Sequence, residues 1–200
     1  MKNIFCCVLI LLQLSCTKKS ATLLHEINDY RSERSVALTE GERAPLNTDE
    51  VKMLKYYHAD QSYKCKCLFE RFEKMNIVEL PTYAGTTTVY KSYGKLNCKI
   101  KNDTFGLTIF QLVNSSQVYA DKLFLPFKDE TNGEESYGGG RYLDLSLRDM
   151  TNSYLEVDFN KAYNPLCAYK SGFRCPIPPP ENHLKIKIEA GEKVYKVESP

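Results

Sequence analysis

Hydrophobic positions change their period several times along this chain, and each change predicts an element. An unbroken apolar run from Ile4 to Leu12 follows Lys2. It is shorter than the roughly 20 residues that a membrane-spanning helix needs, which is the pattern of a secretory leader. In "LLHEINDYRSERSVAL", Leu23, Leu24, Ile27, Tyr30 and Arg34 recur at three-or-four spacing among charges. That spacing predicts one amphipathic helix over 23–38. From Tyr63 the period becomes two. "YKCKCLF" sets Tyr63, Cys65, Cys67 and Phe69 on one face, and "KLNCKIK" sets Leu96, Cys98 and Ile100 inward. "NIVEL", "TTTVYKSY", "FGLTIFQL", "LFLPF", "RYLDLSL", "YLEVDF" and "LKIKI" extend the series to about nine short strands, separated by turn clusters such as "KNDTFG" and "RDMTNS". The expected fold is mainly β, an antiparallel sandwich or partly open barrel preceded by one N-terminal helix.

Composition adds compartment and excludes one partner class. With 42% hydrophobic and 26% charged residues, the chain has the make-up of a folded protein. Ser15-Cys16 resembles the cleavage box of bacterial lipoproteins, although Gln13 stands where such boxes usually carry Leu. Residues 1–15 are therefore read as a signal peptide, 16–22 as lipid anchor on Cys16 and tether, and 23–200 as a single domain. The formal charge of +2 falls to +1 once Lys2 leaves with the leader. Such a balance offers nothing to nucleic acid. The expected location is the cell envelope, with the chain held by lipid on the periplasmic side.

Of eight cysteines, Cys6 and Cys7 leave with the leader and Cys16 takes the lipid. Cys167 and Cys175, in a loop of an exported chain, are the natural disulfide. Cys65, Cys67 and Cys98 lie on inward faces and read as small hydrophobes. A metal site joining them to His58 has only Cys-x-Cys in its favour, too little to predict a metal or any cofactor. The glycine-rich stretches "GTTTVYKSYGK" and "YGGGR" lack phosphate-loop spacing. Gly138 to Gly140 read instead as a turn that takes positive φ or admits another backbone closely. Parity puts Arg141 on the inward side of its strand, where it needs Asp158, Glu181, Asp129 or a bound anion as partner. Asp158 falls on the outward face of "YLEVDF". If the proline-rich segment folds back, Arg141, Asp158, Asn160, Asn164, Glu181 and Asn182 form one polar binding site. The same Asn and Asp residues also suit turns, which leaves a purely structural clasp open.

The stretches "YGGGRYLD" and "VDFNKAYNPLCAYKSGFRCPIPPPENHLKIKIEAGEK" resemble an exported bacterial family known as domain of unknown function family 1684, over roughly Ala44 to Lys193. Many relatives carry a further N-terminal β domain, and this chain looks like the short form. The resemblance implies an envelope location and a mainly β fold, and carries no established activity. The leading expectation is a non-catalytic envelope lipoprotein that binds a small polar or anionic ligand, or an envelope partner, near the C-terminal motif. The alternative is a hydrolase with paired carboxylates Asp158 and Glu181, which requires the two to face each other across a cleft.

Overall fold

A computed structural model describes residues 3–113 and 119–196, with side chains from Ala21 onward. The leader and the Cys16 side chain lie outside the described side chains. Helix α1 (Asn3–Thr39) turns Leu23, Ile27 and Leu38 inward, all buried. Gly41, at a φ of 94°, then reverses the chain, and the backbone N–H of Leu46 bonds back to Leu38 O.

Seven strands follow: β1 (Lys64–Arg71), β2 (Ile77–Pro81), β3 (Thr87–Ile100), β4 (Asp103–Leu112), β5 (Lys122–Phe127), β6 (Arg141–Ser146) and β7 (Tyr154–Asp158). They form one antiparallel sheet in the order β6-β5-β4-β3-β1-β7, with β2 also paired to β3. The sheet curls into a half-barrel, and the chain leaving β7 returns to the far edge, where Tyr163 and Tyr142 exchange backbone hydrogen bonds of 2.9 and 3.0 Å. One core fills the concave side, with Leu96, Leu107, Ile109, Leu125, Val157 and Phe159 essentially without exposure. A smaller cluster of Leu80, Tyr90 and Phe110 packs separately.

Three expectations change. "TTTVYKSY" and "KLNCKIK" are one 14-residue strand, because the chain passes Gly94 through a register irregularity instead of a turn. A Cβ at Gly94 would stand 2.6 Å from Glu70 O, so only glycine permits that approach. "LKIKI" is not a strand. It keeps alternate burial of Leu184 and Ile188 but bonds to residues 128–130, as in Leu184 N–H to Lys128 O at 2.8 Å. Cys67 and Cys98 are not simple hydrophobes either: the β1–β3 register sets them opposite each other, and they form a disulfide with Cα atoms 4.3 Å apart. Cys167 and Cys175 form the second disulfide. Two disulfides point to an oxidising environment. Among the described residues no helix is long and apolar enough to cross a membrane.

Candidate functional site

The polar residues singled out by the sequence are mostly buried, and the protein takes up most of their hydrogen bonds, with Arg141 Nε, Asp158 Oδ2 and Asn164 Oδ1 left without a partner among the described residues. Arg141 has no exposed surface. Its partner is Asp129, at 2.6 Å, and its guanidinium also donates to Ile188 O at 2.8 Å and to Ala190 O. Asp129 is held in turn by the Thr131 hydroxyl at 2.6 Å and the Thr131 N–H at 2.8 Å. A buried guanidinium thus fixes the backbone from 188 to 190. At Gly140, next to it, φ is 92° and a Cβ would lie 2.7 Å from Phe127 O, so this glycine serves both backbone conformation and close packing.

Asn160 works in the same way on another segment. Its side-chain amide donates to Asp60 O and its Oδ1 accepts from Asp60 N–H, both at 2.9 Å, which fixes the 57–63 loop. Asp158 orients that amide through Oδ1, which accepts from Asn160 Nδ2 at 2.7 Å and from its N–H at 3.0 Å. The expected outward Asp158 is in fact buried, because α1 crosses this end of the sheet, with Glu26 bound to Lys64 at 3.3 Å and Lys161 at 2.6 Å. Burial raises the Asp158 carboxyl above its ordinary pKa, and its Oδ2 has no partner. Asn164 donates to Lys193 O at 2.8 Å and to the buried Glu192 carboxylate at 3.0 Å, where the Tyr169 hydroxyl also binds at 2.6 Å. Burial likewise raises the pKa of Glu192.

Asn182 fastens a different segment. The Asn182 side chain bonds Thr108 N–H and O on β4 and Pro126 O on β5, at 2.7 to 2.8 Å. Glu181 beside it is exposed. Asp158 and Glu181 share no hydrogen-bond partner.

The two segments pinned by Arg141, Asn160 and Asn164 meet. Tyr57 N–H bonds Gly191 O at 2.9 Å and Lys193 N–H bonds Lys55 O at 2.8 Å, which joins 55–57 to 191–193. Beside that junction is a cleft of about 670 Å³, lined among others by Tyr57, His58, Tyr63, Lys101, Glu189 and Lys193. Arg141 lies directly behind it, 5.9 Å from the centre of the Tyr57 ring. Lys101 reaches the cleft from the β3–β4 hairpin, where it adopts a φ of 54°. Its ammonium donates to the Tyr63 hydroxyl at 3.2 Å and sits 4.6 Å from that ring's centre. The Lys193 ammonium lies 4.5 Å over the Tyr57 ring. Neither lysine takes part in an ion pair among the described residues. Of the carboxylates here, Asp60 is committed to Ser62 N–H, which lowers its pKa, and Glu135 to the Tyr57 hydroxyl at 3.4 Å and Lys187 at 3.9 Å. Burial pushes the Tyr57 hydroxyl up to about 12, so it stays a neutral donor.

The sequence named Arg141, Asp158, Asn160, Asn164, Glu181 and Asn182 as one binding site; none of the six lines this cleft, and all but Glu181 are buried. Lys101 and Lys193 are 92 residues apart, and no local pattern links them. His58 belongs to the cleft, away from the cysteines. The Cys65, Cys67 and Cys98 sulfurs lie within 4.8 Å of one another, but the bond between the last two leaves Cys65 as the free thiol among the described residues.

The family described as protein of unknown function (DUF1684) matches residues 49–193, and the chain belongs to it. The chain is similar to an uncharacterized protein of Haloarcula marismortui solved by solution NMR, at 29% identity. That similarity covers 88% of this chain and 96% of the other, with a TM-score of 0.69. No curated protein shows a match to this chain.

Proposed function

We propose that this member of the DUF1684 family is an envelope lipoprotein whose cleft binds a small polar anion without catalysing a reaction. The observation that carries the reading is the pair of lysines. Lys101 and Lys193 each lie over a tyrosine face, and neither is in an ion pair among the described residues. A ligand carboxylate or phosphate would meet two ammonium groups with part of their hydration already replaced by aromatic surface, where charge-assisted hydrogen bonds are strongest. Glu189, on the same walls, would accept from ligand hydroxyls. In this reading Arg141, Asp158, Asn160 and Asn164 hold the walls in place, Asn182 fastens a turn to β4 and β5, and Glu181 has no part in the site. The leader through residue 15 is removed, Cys16 carries lipid, and 16–22 tether a domain that begins at residue 23.

The test is a titration of the purified chain with inorganic phosphate, sugar phosphates and dicarboxylates, followed by NMR shifts and calorimetry. The expected result is saturable binding by at least one of these anions, weakened about tenfold or more by Lys101→Ala and by Lys193→Ala, in line with the roughly 1.5 to 3 kcal/mol of a charged hydrogen bond. Absence of any saturable response, or one indifferent to both substitutions, overturns the reading.

A further inference from the structure

A second cavity, of about 320 Å³, lies between the sheet and the loop closed by the Cys167–Cys175 disulfide. Its chemistry differs from that of the cleft. Phe124 of β5 and Tyr142 of β6 meet edge to face at 4.8 Å, and Tyr163 meets Tyr142 edge to face at 5.9 Å. Phe173 adds a ring from the disulfide loop. Two guanidiniums share these walls. Arg34 of α1 stacks 4.1 Å over the Tyr163 ring and gives one N–H to Asn164 O at 3.1 Å, while its buried Nε has no partner. Arg174 is exposed and forms no ion pair among the described residues. The nearby Asp144 carboxylate accepts from the Tyr163 hydroxyl at 3.0 Å, so it is already partnered.

We infer that this cavity binds a small aromatic carboxylic acid. The rings offer the offset and edge-on surfaces that aromatic ligands prefer. The volume is at the low end of small-ligand sites, roughly 300 to 1,000 Å³, which suits a ligand of one or two rings. Arg174 supplies a planar, two-pronged donor for its carboxylate and has no acid paired to it among the described residues, while Arg34, engaged with Asn164 O and beside the Glu192 carboxylate, backs the Tyr163 ring. An aromatic wall without cations would take neutral rings equally well; here the acid group decides.

Binding of benzoate, phenylacetate and indole-3-acetate to the full chain is measured by calorimetry, with benzyl alcohol as the uncharged control. At least one acid binds saturably, benzyl alcohol binds at least tenfold more weakly, and Arg174→Ala costs the acid about tenfold. Leu166→Trp, which fills the cavity from its wall, abolishes binding, and Lys101→Ala leaves it unchanged, which separates this site from the cleft. Circular dichroism establishes that each variant is folded. Arg174 is on the surface, so its substitution remains decisive if the tryptophan variant does not fold. No saturable binding, equal affinity for benzyl alcohol, or indifference to Arg174→Ala overturns the inference.

Discussion

Arg141 carries a full charge with no exposed surface, so its contribution depends on keeping every partner. Removing one member of a buried pair leaves the other charge uncompensated, at a cost of about 3 to 5 kcal/mol. Arg141→Ala should therefore lower the unfolding free energy by about that much in urea titrations, and replacing Asp129 and Arg141 together by apolar residues should cost less than the single change. A small effect from Arg141→Ala would mean that the pair does not hold the 188–190 segment. Asp158 makes the opposite kind of prediction. Burial lifts its carboxyl above the unfolded-state value, so the folded chain holds that proton more tightly. Its contribution to stability is complete below the ordinary carboxylate pKa of about 3.9 and is lost as pH rises through the higher folded value. Asp158→Asn keeps an oxygen for Asn160 and removes the titration. The variant should gain on the parent as pH rises from about 3 to 7, measured by denaturant midpoints, and a constant difference would show that Asp158 is not perturbed. At this scale the sequence marked Arg141, Asn160 and Asn164 as groups that demand partners, but it read them as a binding site and placed the buried Asp158 outward. It hid Tyr57, Lys101 and Lys193, whose types are ordinary on any surface and whose meeting depends on tertiary placement.

At the scale of elements, period-two alternation marked β1, β3, β6 and β7 directly, since half-buried strands must alternate. What alternation does not encode is register. The Cys67–Cys98 disulfide depends on Leu68 standing opposite Asn97 in β1 and β3, a pairing between segments 29 residues apart. The consequence is quantitative. In the loop-closure account, a cross-link over 31 residues constrains the unfolded chain more than one over 8, roughly 3.7 against roughly 2.5 kcal/mol. The paired substitutions Cys67→Ala with Cys98→Ala should destabilise more than Cys167→Ser with Cys175→Ser. Equal or reversed losses in chemical denaturation would assign the greater structural weight to the C-terminal loop. The missing ninth strand has a similar origin. Residues 184–188 alternate in burial as a strand does, but they run beside an irregular segment at 128–130 and join no sheet edge.

At the scale of the molecule, helix α1 connects the proposed anchor to the proposed site. Leu23, one of the cleft's lining residues, is only seven residues beyond Cys16. Seven residues span at most roughly 25 Å even when fully extended. If Cys16 carries lipid, that edge of the cleft lies within roughly 25 Å of the membrane surface, which bears on how a ligand reaches it. The geometry thus couples a claim about location to one about access. A fluorophore on Glu189→Cys, at the cleft, should transfer energy efficiently to an acceptor dye in the vesicle surface when the chain is lipidated. With Cys16→Ser the chain should leave the vesicles and the transfer should vanish. Retention of the Cys16→Ser chain on the vesicles would remove the lipid from the account. Lipidated chain without transfer would place the cleft away from the bilayer, which the seven-residue tether does not allow. The length of that tether therefore makes the proposed anchor and the proposed site a single testable arrangement.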